Sequence, residues 1–140
     1  VLWCAPGHPL ATRPRLTWKD LHGHALVSAG RDHERSVAQM MLTQPEDMRV
    51  MPVEIVDNTT TALGIAAQGI AATLAPAYVA VVADTMGLVM RRVRGPETIR
   101  TVCLYRRANR ALSAATEGVA EHLGAWLPAW AAQRPPGADD

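Results

Sequence analysis

The sequence predicts an α/β domain with a largely parallel sheet, and three observations favour this class. Apolar runs of strand length alternate with stretches of helical periodicity along most of the chain. The 140 residues are 49% hydrophobic and only 19% charged, so they can bury a core and do not resemble a disordered segment. This length suits one domain and is too short for two sizeable ones. A multidomain enzyme is therefore excluded for this chain.

The first third of the chain predicts two strands, one helical turn and one helix. Val1–Ala5 is an apolar run of strand length, and the Pro-Gly pair after it breaks regular structure. Leu16–Leu21 is amphipathic and predicts a helical turn, while Ala25–Val27 predicts a short buried strand. A helix is predicted over His33–Leu42, with Asp32 as its N-cap. Its apolar core face is predicted at Val37, Met40 and Met41.

The middle of the chain continues the alternation. Val50–Val56 alternates as a strand, and Asp57–Thr61 supplies capping side chains for a helix that Gly69 ends. Ile70–Leu74 is again an apolar run of strand length. A proline then suits the first turn of a short helix over Pro76–Val82.

The last third predicts two strands, a long helix and a tail. The strands are Leu88–Val93 and Ile99–Arg106, which has alternating side chains. Ser113 is placed to cap the last helix, and Pro128 marks its expected end, before a polar tail that we expect to be disordered. Apolar residues recur in this helix at spacings of three and four, at Val119, Leu123, Trp126 and Leu127.

The charge balance predicts no global attraction to nucleic acid or to an acidic membrane. The sequence has fourteen Lys and Arg residues and thirteen Asp and Glu residues, which gives a net charge of +1. A local arginine cluster contains a single acid, Glu97, and leaves nucleic-acid binding open as one alternative. No aromatic residues suited to base stacking are interleaved, so a solvated face is the favoured interpretation. The cluster comprises Arg91, Arg92, Arg94, Arg100, Arg106, Arg107 and Arg110.

Catalytic, metal and cofactor motifs are missing from the sequence. There is no nucleophile elbow, no Walker loop and no dinucleotide fingerprint, for which Gly64 and Gly69 are too widely spaced. We therefore expect no enzyme, no catalytic residue, no metal and no cofactor. The histidines have no metal-binding spacing; they are His8, His22, His24, His33 and His122.

The chain carries no sign of export or membrane insertion. No basic region precedes a long apolar stretch, and no apolar run reaches the roughly 18 residues of a membrane helix. Two cysteines are too few for a disulfide framework, so a reducing cytoplasm is the expected location. Because Val1 opens within a strand pattern, we expect the chain to be a fragment of a larger protein.

Several segments in order resemble the effector-binding domain of LysR-type transcriptional regulators. Residues 4–11 (CAPGHPLA) and 16–21 (LTWKDL) are similar to its "HPLA … dL" segment, and residues 58–76 (NTTTALGIAAQGIAATLAP) to its "t…lVaaGlGiallP" segment. Residues 100–107 (RTVCLYRR) and 111–115 (ALSAA) resemble its "R.v.lv.r … lspaa" ending. The resemblance covers residues 1 to about 127. The sequence departs from the family pattern at Ala71, where the family usually has a glycine, and at Ala114, where it often has a proline.

The resemblance implies a fold like that of type 2 periplasmic binding proteins, in which two crossing strands join two α/β subdomains. Residues 1–5 would be the first crossing strand and 6–98 effector-binding subdomain II. Residues 99–127 would be the return strand and C-terminal helix of subdomain I, and 128–140 a tail. The chain would thus hold one complete subdomain and the C-terminal part of the other. The family's winged helix-turn-helix would precede Val1.

The resemblance also brings Cys4 and Cys103 onto the two crossing strands, which run side by side in that fold. A redox link there would lock the hinge. The favoured interpretation is that both are buried thiols acting as small apolar residues.

Two turns are candidate effector contacts. Helix N-termini present unpaired N–H groups and a positive dipole end, which suit a small anion in a cleft. Ordinary capping explains the same residue types, and the resemblance raises the weight of the binding interpretation. The candidate residues are Ser28, Ala29, Gly30 and Arg31 at one turn, and Asn58, Thr59 and Thr60 at the other.

The predicted function is effector sensing in a LysR-type transcriptional regulator. A small anionic metabolite, expected to be a carboxylate, would bind between the lobes and change their arrangement in a homo-oligomer. DNA would be contacted only through an N-terminal domain outside this chain, and a membrane not at all. The alternative is a free-standing α/β module that binds a small molecule or a partner.

Overall fold

The structure is a computed structural model that describes residues 1–29, 31–99, 101–107, 109 and 111–132, without the side chains of residues 31–36. The described residues form seven strands and four α-helices, joined by 3-10 helical turns. The strands are β1 (Leu2–Cys4), β2 (Leu16–Thr17), β3 (Leu26–Ala29), β4 (Glu54–Val56), β5 (Ala72–Leu74), β6 (Val89–Arg91) and β7 (Val93–Arg94). The helices are α1 (Arg31–Leu42), α2 (Thr59–Ala67), α3 (Ala80–Ala83) and α4 (Ala114–Ala132).

The main sheet has five strands in the order β4-β3-β5-β1-β6. Strand β3 is parallel to both β4 and β5, whereas β1 is antiparallel to β5 and β6. Four of the five strands therefore point the same way, which confirms the predicted α/β class with a largely parallel sheet. Strands β2 and β7 form a separate parallel pair.

Helix α2 covers one face of this sheet and a layer of loops with α1 covers the other. Trp3 and Val27 face α2, where Leu63 and Ala66 are buried. On the opposite face Leu2 and Leu26 pack with Trp18, Leu21 and Met41 in the largest buried cluster. Met41 is 2% exposed and Met40 packs beside it, so the predicted core face of α1 is confirmed.

The caps predicted for α2 and α4 are confirmed, but α1 begins at Arg31, so Asp32 lies within that helix and is not its N-cap as predicted. The Asn58 side chain caps α2, and Gly69 adopts a left-handed φ of 71° just after it. At α4 the Thr116 N–H donates to Ser113 Oγ at 3.3 Å, and the Glu117 N–H donates to the Ser113 carbonyl at 2.9 Å. Both caps are local, which is why they were predictable from sequence.

The described residues divide into two compact units, residues 1–99 and 101–132. All the buried hydrophobic clusters lie in the first unit. In the second unit α4 buries no residue, and its expected core residues Val119 and Trp126 are 59% and 46% exposed.

Two expectations for the second unit were wrong. We expected a strand over Ile99–Arg106, but the described residues 101–107 form none. A strand needs a neighbour to pair its backbone groups, so an alternating pattern by itself does not produce one. We also expected the last helix to end near Pro128, yet it continues to Ala132. Proline removes one backbone hydrogen bond but keeps a helical φ, and alanine and tryptophan then continue the helix. Residues 133–140 of the expected tail lie outside the described residues.

Candidate functional site

The candidate site lies at the edge of the sheet where its parallel strands end. Strands β3 and β4 run in parallel with Ser28 opposite Ile55 and Ala29 opposite Val56. Because the two strands end at the same level, the turns that follow them leave from one edge of the sheet. The structure therefore brings together the two segments that the sequence singled out separately.

The end of β3 places a hydroxyl at this edge. Ser28 is half-buried and Ala29 is 3% exposed, and both belong to β3 rather than to the turn that we expected. Helix α1 begins two residues later, at Arg31. Gly30 and the Arg31 side chain, both candidate contacts, lie outside the described residues. Of this group only Ser28 offers a described polar side chain.

The second turn is organised by a helix cap. Asn58 Oδ1 accepts hydrogen bonds from the Thr61 N–H at 2.8 Å and from Thr61 Oγ1 at 3.0 Å. This oxygen is committed to the cap, so its part in any ligand contact is to hold the turn in place. Thr59 is half-buried and Thr60 is exposed in the first helical turn, where backbone N–H groups have no intrahelical partner.

Two further segments share this edge and were missed by the sequence analysis. Strand β5 is parallel to β3, so its end at Leu74 and the following Pro76 lie at the same edge. Strand β6 also runs in that direction, and its end carries Arg91 and Arg92. The order of strands in a sheet is set by contacts distant in sequence, so no local signal marks these segments as neighbours of Ser28.

The arginines at the end of β6 are held by specific partners. The Arg92 guanidinium pairs with Glu97 through two contacts of 2.7 Å. The hydrogen bond from Arg92, more than its charge, holds the Glu97 pKa below its usual value. The Arg91 guanidinium donates to the Arg13 carbonyl. These residues fix the end of β6, consistent with a structural role for this part of the arginine cluster.

Of the remaining members of the arginine cluster, Arg94 lies in β7 of the first unit. Arg106 and Arg107 are exposed in the second unit, while Arg100 and Arg110 are outside the described residues. The nucleic-acid interpretation of the cluster therefore stays a hypothesis.

The cysteines and histidines have different environments. Both cysteines are free thiols; Cys4 is buried as expected, but Cys103 is exposed, so the expected burial of both was wrong. Cys103 belongs to the segment 101–107, which forms no strand. Among the described side chains, no group of three or more His, Cys, Asp or Glu is placed to hold a metal ion.

The second unit has its own groove, of about 820 Å³, between the segment around Leu104 and helix α4. Leu112, Val119 and Leu123 line it together with Arg106 and Arg107. Two of its lining residues, Val119 and Leu123, belong to the apolar face predicted for the last helix. None of the helices in the described parts of the chain is long and apolar enough to span a membrane.

Comparison with known proteins gives consistent matches. A family model described as the LysR substrate binding domain matches residues 1–128. The transcriptional activator protein LysR of Escherichia coli (strain K12) is 31% identical over 124 residues, which are 88% of this chain and 39% of that protein. A solved structure, the effector binding domain of QuiR in complex with shikimate, matches with a TM-score of 0.57 at 14% identity. The match covers 86% of this chain and 57% of that one, so the chain spans less than two thirds of either relative.

Proposed function

Because the chain belongs to the LysR substrate binding domain family, we propose that it is the effector-sensing region of a LysR-type transcriptional regulator. One observation carries the proposal. Ser28 at the end of β3 and Asn58 just after β4 lie at the same edge of the sheet. Ligands of open α/β sheets bind at this kind of edge, beyond the carboxyl ends of the strands. The role is regulatory rather than catalytic.

The proposed effector is a small carboxylate. The N-termini of α1 and α2 begin beside the edge and contribute partial positive charge. Ser28 and Thr60 add hydroxyl groups that can donate to a carboxylate or to a ligand hydroxyl. Gly30, Arg31, Ala29 and Thr59 complete the proposed contact set.

The proposed mechanism is differential binding. An effector that contacts both subdomains stabilises one arrangement over the other by the difference in its affinity for the two. We propose that residues 6–98 supply one wall of the cleft and that 99–127 belong to the other subdomain. The change would pass through a cytoplasmic homo-oligomer to a DNA-binding domain outside this chain.

The test measures the binding of small carboxylates to the full-length protein, by calorimetry and by the change in melting temperature. Shikimate, which QuiR binds, is one member of the panel. We expect at least one carboxylate to bind, and Ser28→Ala to weaken that binding about tenfold, the effect of losing one hydrogen bond to a charged group. The matched control is Thr43→Ala, which removes an exposed hydroxyl bonded to the Met40 carbonyl at the far end of α1. The proposal would be contradicted if no carboxylate of the panel bound, or if Ser28→Ala and Thr43→Ala lost affinity equally.

A further inference from the structure

A second cavity lies at the opposite edge of the sheet from the proposed effector site. It measures about 380 Å³ and sits where β3 and β4 begin, with Ala25 just before β3 and Val53 just before β4. The surrounding residues are Leu21, His22, Gly23, His24, Ala25, Val50, Met51 and Val53, which we call the histidine groove.

The groove exposes apolar side chains that folding leaves uncovered. Met51 and Val53 are 72% and 70% exposed, although Leu21 and Val50 in the same groove are buried. The apolar surface of the groove therefore extends from the buried Leu21 and Val50 to the exposed Met51 and Val53. Contiguous exposed apolar area beside a cavity is typical of a binding site.

The imidazole rings of His22 and His24 line the groove, and the His8 ring lies beside His24 without being part of the lining. The half-buried His24 ring lies 5.3 Å from the His8 ring, centroid to centroid, at 50°. His8 Nδ1 accepts from the Leu10 N–H at 3.2 Å, which leaves Nε2 as the donor of the neutral ring. His22 adds a third, exposed imidazole. Imidazole N–H groups can donate to a carboxylate oxygen, so the rings suit an anionic acceptor.

The charges near the groove are consistent with an anionic ligand. No carboxylate is among its lining residues in the described part of the chain. Two acids adjoin the lining residues in sequence. Glu54 follows Val53, and Asp20 precedes Leu21. Asp20 accepts from the Thr17 N–H and hydroxyl and pairs with Arg13 at 2.8 Å. Lys19, on the same turn, is exposed and positive. A metal ion is not indicated, because no described cluster has three suitable ligands.

We propose that the histidine groove is a second ligand site that binds a small aliphatic monocarboxylate, with the carboxylate at His24 and the alkyl chain on Met51 and Val53. The cavity falls in the size range of small-molecule sites and exceeds the volume of a chain of about six carbons. The site is independent of the proposed effector function, because it uses the opposite sheet edge and shares no residue with it.

The experiment measures binding of hexanoate to the full-length protein at pH 6.5 by calorimetry. Hexanamide, which has the same chain without the charge, is the matched ligand control. We expect hexanoate to bind at least tenfold more tightly than hexanamide, since bonds to a charged acceptor are the stronger ones. We expect His24→Asn to weaken hexanoate about tenfold and Met51→Ser about threefold, through a lost polar and a lost apolar contact.

Each other result would overturn the proposal. Hexanamide binding as tightly as hexanoate would remove the role of the imidazoles. Unchanged hexanoate affinity in both variants, with their folding verified by urea unfolding, would place the ligand elsewhere. Loss of hexanoate binding in Ser28→Ala would assign it to the effector edge. Failure of hexanoate to bind at all would refute this site and leave the shikimate panel as the separate test of the effector function.

Discussion

At the scale of single residues, local chemistry accounts for the best-defined features of this chain. Asn58, Ser113 and Gly69 each do what their type favours at a helix end. Other residues have environments that their type does not reveal, notably the buried Thr73 and the paired His8.

Replacing Asn58 by alanine should destabilise the protein by about 1 kcal/mol, the usual cost of losing an N-cap. The Thr61 N–H and hydroxyl would both lose the acceptor at Asn58 Oδ1. Asn58→Asp retains an acceptor oxygen and adds a negative charge at the helix N-terminus, so it should stay near the parent stability. Urea unfolding measures both, and equal stabilities for the alanine and aspartate variants would count against the cap.

Thr73→Val should leave stability unchanged or raise it by about 1 kcal/mol. Thr73 is fully buried opposite Trp3 in the sheet, and its hydroxyl has no hydrogen-bond partner among the described residues. Valine has nearly the same shape and removes the cost of burying an unpaired hydroxyl. Thr85→Val, at an exposed hydroxyl bonded to the Val82 carbonyl, is the control. A clear loss of stability in Thr73→Val would show that the hydroxyl is bonded after all.

Stability should fall as the pH is lowered below about 6.5, with His8 as one cause. Burial, and secondly repulsion from His24, lower the His8 pKa below its ordinary value of 6.5. The folded state therefore favours the neutral ring, so the unfolded chain takes up a proton first. Stability is retained above pH 6.5 and is lost as the pH falls from there through the lowered folded pKa.

His8→Asn tests this assignment, since asparagine does not titrate and offers an oxygen to the Leu10 N–H in place of Nδ1. Urea unfolding of both proteins between pH 8 and 5 should give a smaller loss in the variant. Parallel curves would assign the pH dependence to other groups.

At the scale of elements, contacts between distant segments decide what local patterns leave open. The predicted single strand Leu88–Val93 is two strands, with β6 in the main sheet and β7 paired with β2. The predicted helical turn at Leu16 begins as β2 for the same reason. Short apolar runs suit either structure, and the available partner chooses between them.

Trp18→Phe should destabilise the protein by about 1 kcal/mol, by removing one hydrogen bond that joins these elements. The buried Trp18 donates from Nε1 to the Pro96 carbonyl at 2.7 Å, which ties the turn after β2 to the loop after β7. Part of any loss comes from the smaller ring, so Trp3→Phe serves as a comparison. Trp3 is equally buried, but its Nε1 has no partner among the described residues. Urea unfolding should show a greater loss for Trp18→Phe than for Trp3→Phe.

At the scale of the whole molecule, the family match and the fold shared with QuiR confirm the expected class, α/β and similar to type 2 periplasmic binding proteins. The core is unevenly distributed along the chain. Every buried cluster belongs to residues 1–99, while α4 in the second unit buries no residue. Stability should therefore depend mainly on the first unit.

A chain that ends at Ile99 should still unfold cooperatively, because the truncation removes no member of the three buried clusters. Circular dichroism during urea unfolding would test this. A broad transition, or none, would mean that residues 101–132 supply core contacts. Leu2→Ala in the full chain, by contrast, changes the core itself. It should lower the free energy of unfolding by about 2–5 kcal/mol, because it opens a cavity in the main cluster.

The sequence by itself determined the features that depend on near neighbours. The alternation of strands and helices, the caps at Asn58 and Ser113, and the ordered motifs that resemble the family all depend on short spacings. These features sufficed to predict the α/β class and the family, because caps and periodicity act over a few residues.

Contacts between distant parts of the chain determine which segments meet. They place Ser28 and Asn58 at one edge of the sheet, add the ends of β5 and β6 there, and set the histidine groove at the opposite edge. Residues 101–107 form no strand in the structure despite their alternating pattern. The physical reason is that strand order and pairing come from backbone hydrogen bonds and burial between segments tens of residues apart, which no local pattern encodes.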